Sequence, residues 1–259
     1  MKIATWNVNS ILIRLEQVLR WLEETQADVL CLQETKCTDD KFPFAQLKLL
    51  GYDSVFLGEK SYNGVAILSK HPVKNTIYNL PDDDENASKR LICAEIQGIK
   101  ITNVYVPNGT ELWSEKFYFK LDWLQRLRKF FDARFSPQED VILCGDFNIA
   151  ADERDVWSVE AWEGKLHFSK PERAALQHLK KWGFVDLFRK INGDVKEFSW
   201  WNYREGAFQK NHGLRIDYIW SSEKLASKCK NCWIDKRVRS WERPSDHAPV
   251  VSEFSYDEN

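Results

Sequence analysis

Short apolar runs, most of them with the length of a β-strand, alternate with polar segments along the whole chain. The first run, Lys2–Asn7, leads into a second asparagine two positions later, and the next, Asp28–Gln33, leads into Glu34. Branched and aromatic side chains dominate these runs, which favours strands over helices. Further runs of this kind predict strands at Tyr52–Leu57, Val65–Ser69, Lys74–Tyr78, Leu91–Ile96, Lys100–Tyr105, Val141–Cys144, Phe198–Trp201, Arg215–Trp220, Asn231–Val238 and Ala248–Phe254.

Three segments show helical periodicity instead. Apolar residues recur every three or four positions in Arg14–Thr25, from the N-cap candidate Ser114 to about Phe135, and in Lys170–Trp182. Because strands dominate and helices come singly between them, the pattern favours an α/β (α+β) fold of two sheets packed face to face with helices outside. Neither a linker-like composition nor an internal repeat divides the chain, so we expect a single domain over residues 1–259.

The formal net charge of −2 hides an asymmetry along the chain. Between Lys165 and Arg243 there are 18 Lys and Arg residues against 9 Asp and Glu residues, and eight of the twelve tryptophans lie from Trp157 onward. A basic, aromatic-rich stretch beside an acidic remainder suits a polyanion held near a cluster of carboxylates. On charge alone, ordinary solvated faces would be the preferred explanation of these counts.

The chain runs from Met1 directly into a strand-like segment, without the pattern of a signal or transit peptide, and it contains no apolar segment as long as a membrane span. We therefore expect a soluble, cytoplasmic protein that does not act on a membrane. Cys229 and Cys232 have the spacing of half a metal site, but no second pair accompanies them, so a zinc site is not expected.

Polar residues of one chemical kind follow several of the predicted strands. Gly145-Asp146-Phe147-Asn148 comes directly after Val141–Cys144, and alternation along a strand would point Asp146 and Asn148 to one side and Phe147 into the core. Asn7, Glu34 and Tyr105 end other predicted strands, Asp217 lies inside a predicted strand among apolar neighbours, and Asp246 and His247 precede the last predicted strand. Carboxylate and amide oxygens with few nitrogens and no thiolate favour a hard cation, Mg²⁺ or Mn²⁺. With histidine and tyrosine as proton or hydrogen-bond partners, such a cation suits hydrolysis of a phosphate ester.

Six motifs in order carry a family resemblance that runs from Met1 to about Phe254. They are Leu32-Gln-Glu-Thr35, Asn63-Gly-Val-Ala66, Asn103-Val-Tyr-Val-Pro-Asn-Gly109, Gly145-Asp-Phe-Asn148, Leu214-Arg-Ile-Asp217 and Ser245-Asp-His-Ala-Pro249. Together they resemble the exonuclease III / abasic-site endonuclease family, the DNA-repair branch of the endonuclease–exonuclease–phosphatase superfamily. The resemblance implies a four-layered sandwich of two mixed β-sheets flanked by helices. It also implies Mg²⁺-dependent cleavage of DNA phosphodiesters that leaves a 3′-hydroxyl.

The resemblance also implies roles for the candidate residues. Glu34 would be the principal metal ligand, with Asn7 and Asp246 nearby. Asp146 would orient and deprotonate the attacking water, and Asn148 would hold the phosphate.

His247 would bind the scissile phosphate, polarised by Asp217, and Tyr105 would donate to the phosphate or the leaving oxygen. Asp146, Asn148 and His247 are also candidate metal ligands. Asn9 and Asn108 match positions of the family's pocket.

Residues from Phe198 to Leu214 mix aromatic rings with cations, and in the family this region, including Leu214, lines the pocket for an extruded abasic sugar. Arg204 and Lys210 are candidates for phosphate contacts, and Trp200 and Phe208 for stacking or wedging. The implied substrate is double-stranded DNA with 3′ ends or abasic sites. No amphipathic surface stands out as an oligomer interface, so a monomer is the default expectation.

A second loop, from Gly164 to Ser169, matches another border of the pocket. His167 in this loop is bulky, and we hypothesise that it narrows the pocket and favours 3′-end processing over abasic incision. A loop histidine in solvent is the alternative. Two rival functions remain at this point, a phosphatase for lipid head groups or small phosphoesters and an inactive nucleic-acid-binding regulator on the same scaffold. The balance of nuclease and phosphatase activities, and one metal or two, also stay open.

Overall fold

The computed structural model describes residues 1–255, and the last four residues of the predicted domain lie outside the described part. The strands, in chain order, are β1 (Lys2–Asn7), β2 (Val29–Gln33), β3 (Asp53–Leu57), β4 (Val65–Ser69), β5 (Val73–Tyr78), β6 (Leu91–Ile96), β7 (Ile99–Tyr105), β8 (Val141–Asp146), β9 (Phe184–Asp186), β10 (Asp217–Ser222), β11 (Cys229–Ile234) and β12 (Val250–Phe254). The α-helices are α1 (Ile11–Thr25), α2 (Phe44–Leu49), α3 (Glu115–Arg134), α4 (Val159–Trp162), α5 (Lys170–Lys180), α6 (Leu187–Asn192) and α7 (Glu223–Ala226).

The strands form two six-stranded mixed sheets. The strand order is β11-β12-β1-β2-β4-β3 in the first sheet and β5-β6-β7-β8-β10-β9 in the second. Two neighbouring pairs are parallel, β1 with β2 and β7 with β8, and the connections between them run through α1 and α3. A parallel pair needs such a crossover, because a hairpin joins only antiparallel strands. The predicted sandwich of two mixed sheets flanked by helices is confirmed.

The run Val141–Cys144 in β8 is apolar at every position because both faces of the strand are buried. Ile142 and Cys144 pack into the cluster that fills the space between the two sheets, while Val141 and Leu143 pack into a second cluster with α3 and α5. All four side chains are fully buried. A strand covered on both faces is apolar at every position, so it reads as a continuous run instead of an alternating one.

The carboxyl-terminal third of the chain departs most from the predicted elements. The strand predicted at Phe198–Trp201 is wrong, because Trp200 makes only isolated bridges, to Leu214 and His247. These bridges position the segment next to two of the sequence motifs without making it part of a sheet. The predicted strand Asn231–Val238 is shorter at its end, since β11 stops at Ile234 and a 3₁₀ helix follows over Lys236–Ser240. Strand β9 and the short helices α2, α4, α6 and α7 were not predicted.

All six cysteines are buried and unpaired. Among residues 1–255, none of the helices combines the length and the apolar character that crossing a membrane requires.

Candidate active site

Strand register brings three predicted site residues into one row of the second sheet. Tyr105 lies opposite Asp146 in the parallel pair β7–β8, and Asp217 lies opposite Asp146 in the antiparallel pair β10–β8. Directly opposed residues have Cβ atoms about 5 Å apart. In the first sheet, Asn7 ends β1 beside Gln33 of β2, and Glu34 follows immediately.

The side chain of Asn7 connects the two sheets. Its Nδ2 donates to Glu34 Oε1 at 2.7 Å and to Asp146 Oδ2 at 2.9 Å, while its Oδ1 accepts from the backbone N–H of Asn9 at 3.0 Å. A metal requires the amide oxygen, and Asn7 turns its NH₂ group to both carboxylates. In this arrangement Asn7 holds the two carboxylates in place, and its predicted role as a metal ligand stays a prediction.

Asp146 and Asn148 do converge, but strand alternation is not the reason. Strand β8 ends at Asp146, and Asn148 adopts a left-handed conformation with φ of 52°. Its backbone N–H donates to Asp146 Oδ1 at 2.8 Å, and its side chain donates to the carbonyl of Val106 at 3.1 Å. Phe147 is fully buried in the core, as expected.

Gly145 and Glu34 also carry unusual backbone geometry. A Cβ at Gly145 would lie 1.9 Å from the carbonyl oxygen of Val104, so only glycine fits between β7 and β8 here. Glu34 has φ of 51°, a conformation that costs a non-glycine residue about 1–2 kcal/mol. Strain of this kind is concentrated at functional sites, where the surrounding structure enforces it.

His247 is buried between two carboxylates. Its Nδ1 lies 2.9 Å from Asp217 Oδ2 and its Nε2 lies 3.8 Å from Asp146 Oδ2. Asp217 only accepts, so Nδ1 carries the proton and the imidazole is fixed in orientation. Burial by itself lowers the pKa of His247, but the charges of Asp217 and Asp146 outweigh it and raise the pKa to about 10. The ring is therefore a cation at neutral pH.

Ser199 supports this pair and was not predicted from the sequence. Its Oγ donates to Asp217 Oδ2 at 2.6 Å and accepts from the backbone N–H groups of Ile216 and Asp217. Asp217 is completely buried and its second oxygen, Oδ1, has no partner among the described residues. A buried carboxylate held in this way depends on the charge of His247.

Glu34, Asp146 and His247 form the only cluster of three or more potential metal-ligating side chains found in residues 1–255, with one ligand atom from each within 4.8 Å of the others. Burial, assisted by the charges of Asp217 and Glu34, raises the pKa of Asp146 to about 7 although His247 opposes this. The surplus of buried negative charge and the oxygen-rich donor set both fit a hard divalent cation.

Asp246 lies outside that cluster, although the sequence predicted it as a metal residue. Its Oδ1 accepts from Asn9 Nδ2 and its Oδ2 from Trp200 Nε1, each at 3.0 Å. Lys36, which the sequence analysis missed although it follows Glu34 closely, donates its Nζ to Glu34 Oε2 and Asn9 Oδ1, both at 2.7 Å. The Lys36 ammonium group therefore compensates part of the negative charge of the Glu34 carboxylate.

Tyr105, at the end of β7, lies beside Glu34 and Asp146. Burial and the charges of Glu34 and Asp146 raise the pKa of Tyr105 well above its usual value, so the phenol remains a hydrogen-bond donor at neutral pH. Arg90, also missed, stacks its guanidinium 4.9 Å from the centre of the Tyr105 ring. Its Nε is buried without a partner among the described residues.

A fully buried ion pair lies behind Asn148. Lys120 Nζ donates to Glu172 Oε1 at 2.5 Å, to the carbonyl of Asn148 at 2.8 Å and to the carbonyl of Asn108 at 3.0 Å. Asn108 Nδ2 in turn donates to Asn148 Oδ1 at 3.2 Å. The sequence contained a signal for this pair, because Lys120 falls in the apolar stripe of α3 between Phe117 and Leu124.

The same ion pair also reaches His167. Glu172 Oε1 accepts from the backbone N–H of His167 at 3.1 Å, and His167 Nδ1 lies 2.7 Å from the carbonyl of Asn148. Burial and the charge of Lys120 lower the pKa of His167 to about 4. His167 is therefore neutral, with its Nδ1 proton on Asn148 and its ring near those of Trp162 and Trp200, at 6.4 and 6.3 Å. The interpretation as a free loop histidine is excluded.

The predicted DNA-binding residues differ in how far they are exposed to solvent. Arg204 and Lys210 are exposed on the loop before β10, and Trp200 is half-buried beside His167. Phe208 packs its ring edge against Trp201 at 5.1 Å. Leu214 is completely buried, so its predicted contact with DNA is not available and Leu214 instead supports the pocket wall.

Comparison with known proteins places this geometry in a family. The sequence pattern described as the Endonuclease/Exonuclease/phosphatase family matches residues 4–247. The chain belongs to this family. It is 35% identical to exodeoxyribonuclease III of Haemophilus influenzae over 98% of this chain and 100% of that protein.

Two solved structures show how completely the family fold is preserved. A 3′ phosphatase from Neisseria, bound to a product DNA hairpin, is 40% identical with a TM-score of 0.95, over 99% of this chain and 100% of that one. An AP endonuclease from Archaeoglobus fulgidus is 39% identical with a TM-score of 0.95 over the same shares. The resemblance expected from the six motifs is confirmed, and so is the fold.

Proposed function

We propose that this chain is a Mg²⁺-dependent DNA-repair nuclease that hydrolyses DNA phosphodiesters and leaves 3′-hydroxyl ends. The observation that carries the proposal is the convergence of the Glu34 and Asp146 carboxylates between the two sheets, with the imidazolium of His247 and neutral donors beside them. Its relatives named as exodeoxyribonuclease III and AP endonuclease support the same reaction class. The proposal includes action as a cytoplasmic monomer on double-stranded DNA, with Mn²⁺ as a possible substitute for Mg²⁺.

The metal would be held mainly by Glu34, with Asp146 and His247 as neighbours and Asp246 behind Asn9. A divalent cation supplies positive charge to a bound phosphate and acidifies a coordinated water. The oxygen donors of Glu34 and Asp146 suit Mg²⁺ better than a soft metal, because no thiolate takes part.

Asp146 is the group that we assign to the attacking water. Both of its oxygens are fixed by amide donors from Asn7 and Asn148, which sets the direction in which its remaining lone pairs point. A carboxylate with a pKa raised toward neutrality by burial is a better base than an exposed one.

His247, Asn148 and Tyr105 are the groups that we assign to the phosphate. In the transition state, negative charge grows on the phosphate oxygens, and donors already in position stabilise it without reorganising. The imidazolium of His247 is held by Asp217, and the phenol of Tyr105 keeps its proton, so both enter the reaction as donors.

One assay tests the proposal and separates its two rivals. A duplex with an abasic site and a duplex with a recessed 3′ end are each incubated with Mg²⁺ or with EDTA. We expect Mg²⁺-dependent cleavage of at least one DNA. Cleavage of neither DNA would overturn the proposal, and hydrolysis of only a small phosphoester would favour the phosphatase.

His167 carries our proposal on substrate preference. His167 Nδ1 lies 2.7 Å from the Asn148 carbonyl, and the indoles of Trp162 and Trp200 lie nearby, with ring centres 6.4 and 6.3 Å away. The ring cannot swing aside without losing its hydrogen bond to Asn148. We propose that it narrows the pocket and favours 3′-end processing over abasic incision. His167→Ala should then raise abasic incision relative to 3′-phosphate removal. Equal ratios for the two proteins would refute it.

A further inference from the structure

Arg239 is a buried arginine that has no acidic partner. It lies in the 3₁₀ helix over Lys236–Ser240, with 7% of its surface exposed. One N–H group of its guanidinium donates to the carbonyl of Ser245, while Nε is buried without a partner among the described residues. Within residues 1–255 the side chain forms no further hydrogen bond and no ion pair. Burial lowers the pKa of Arg239, and the charge of Asp246 opposes this only in part.

Arg215 shows how a buried arginine is balanced elsewhere in the chain. Only 1% of its surface is exposed, and its guanidinium donates to Asp155 Oδ1 at 2.7 Å and to the two carboxylate oxygens of Asp186 at 3.1 and 2.8 Å. This pairing is needed because arginine keeps its charge in proteins, and a buried charge is stable only when it is paired and hydrogen-bonded. Arg239 has no such carboxylate, so most of its donors are available to an anion from outside the chain.

Arg239 lines a cavity of about 460 Å³. Tyr203 and Phe208, from the loop before β10, line the same cavity together with Trp241. The guanidinium carbon of Arg239 lies 5.6 and 5.1 Å from the ring centres of Tyr203 and Phe208. The ring faces attract the cation, but they carry no net charge that could balance it. No acidic side chain is among the described residues of the lining, so the cavity favours an anionic ligand.

The cavity adjoins the candidate active site without being part of it. Tyr203 connects the two, since its hydroxyl accepts from Asn9 Nδ2 at 3.4 Å. The carbonyl that accepts from Arg239 belongs to Ser245, which directly precedes Asp246. A ligand held at Arg239 would therefore lie next to the segment that carries the site residues of the last motif.

A DNA backbone phosphate is the anion that best suits this position. A nucleic acid bound with one phosphate at His247 carries further phosphates along its backbone over the neighbouring surface. The planar fork of a guanidinium group matches the geometry of a phosphate and binds it through two parallel hydrogen bonds. None of residues 164–169 lines the cavity, so this contact is also separate from the pocket beside His167.

We propose that Arg239 and its cavity form a binding site for a DNA backbone phosphate outside the scissile position. The proposal rests on the proposed nuclease function. The unpartnered N–H groups of Arg239 would donate to the phosphate oxygens, and the aromatic walls of Tyr203 and Trp241 would exclude water and so strengthen these charge-assisted hydrogen bonds. The phosphate of a free nucleotide has the same chemistry, and the experiments separate the two sources.

The first test measures the salt dependence of binding to a hairpin DNA with a recessed 3′ end, in the Asp146→Asn background so that the DNA is not consumed. Arg239→Met should weaken binding by about 10- to 100-fold, the range for a hydrogen bond to a charged group. It should also reduce the slope of log affinity against log salt by about one. Arg239→Lys keeps the charge and should restore the slope. Arg237→Met is the matched control from the same 3₁₀ helix, because Arg237 is exposed and already paired with Asp235, and it should change neither quantity.

The second test leaves the packing of Arg239 intact. Gln209 lines the cavity and is exposed, so Gln209→Glu places a competing carboxylate there without altering the core. The affinity for the hairpin should fall by about tenfold, because like charges are brought together. Gln125→Glu, at an exposed glutamine of α3, adds the same charge away from the cavity and should have a much smaller effect.

The outcomes decide between a phosphate site and a structural arginine. An unchanged salt slope for Arg239→Met would assign Arg239 to the fold and overturn the proposal. If Arg239→Met does not fold, equal affinities for Gln209→Glu and Gln125→Glu would overturn it. Titration with a deoxynucleoside 5′-monophosphate is the third measurement, and an Arg239-dependent loss of this ligand without a loss of hairpin binding would also overturn it. Cleavage by the unaltered protein is measured separately, so a protein that binds DNA through Arg239 without cleaving it would refute only the nuclease proposal.

Discussion

Replacing Lys120 with methionine tests whether the buried ion pair behind Asn148 positions the site or only fills the core. Lys120 and Glu172 are both completely buried, and their charges lie 2.5 Å apart. Lys120→Met keeps the length and apolar stem of the side chain, but it leaves the Glu172 carboxylate buried without its cation. Removing one partner of a buried pair costs about 3–5 kcal/mol. We expect the free energy of unfolding in urea to fall by about that amount.

Turnover should fall in the same variant for a separate reason. The carbonyl of Asn148 loses the ammonium donor at 2.8 Å and keeps only His167. Asn148 is then free to move relative to Asp146, and a displacement of about 1 Å at a catalytic group costs on the order of 10²-fold in rate. We expect this loss in kcat, measured on a 3′-recessed duplex at saturating Mg²⁺, with KM much less affected.

The double variant Lys120→Met/Glu172→Gln separates the two effects. With both charges gone, most of the stability should return, because replacing a buried pair with neutral groups is often tolerated. The carbonyl of Asn148 still lacks its donor, so turnover should stay low. If the double variant recovers both stability and turnover, the pair has only a packing role and the reasoning is refuted. Arg20→Met, which breaks the exposed Arg20–Glu24 pair, is the control and should change stability by less than about 1 kcal/mol.

Three further variants test the roles assigned to Asp146, Glu34 and Asp217 in the candidate active site. Asp146→Asn should lower turnover by about 10²–10⁴-fold in single-turnover assays while DNA binding persists, and retained turnover would remove it from its role as base. Glu34→Gln should raise the Mg²⁺ concentration at half-maximal rate by at least about tenfold, since a hard cation loses one ligand charge, and an unchanged Mg²⁺ titration would contradict this. Asp217→Asn keeps a hydrogen bond to His247 but removes the charge that keeps the ring protonated, and should cost about 10²–10³-fold in kcat, the cost of losing one donor to the transition state. Ser199→Ala is its milder control, and equal losses would indicate a structural role for both.

The sequence was most informative where a strand is followed by a short polar motif. The apolar run of β8 identified a buried strand, and the residues directly after it were correctly placed near Asn7, Glu34 and His247. The β1–β2 pair and the β7–β8 pair each end at one edge of their own sheet, and the packing of the two sheets against each other, which the sequence did not show, brings these edges together. The reason given for the convergence of Asp146 and Asn148 was nevertheless wrong, since a left-handed residue is not visible as an alternation pattern.

Residues that act through backbone atoms were beyond the sequence analysis. Ser199 binds Asp217 and two backbone N–H groups, and no recognisable spacing marks that contact. Lys120 stands out as a charged residue in the apolar stripe of α3, but that position does not reveal that it binds two carbonyls. The strand predicted at Phe198–Trp201 failed for a related reason. Its apolar residues pack against the site, and a strand and a buried irregular segment have the same composition.

Helix α3 has a double function that follows from its place in the chain. It connects Tyr105 at the end of β7 to the strand that carries Asp146, and this crossover is what makes the two strands parallel and brings their ends together. Ser114 caps the helix and donates to the carbonyl of Gly109 at 3.2 Å, which fixes the first turn next to Asn108. From that start, Lys120 lies less than two turns into the helix and reaches the carbonyls of Asn108 and Asn148. The element that aligns the two strands therefore also delivers the buried cation that holds Asn148. Variants that shift α3 should consequently impair turnover before they unfold the protein.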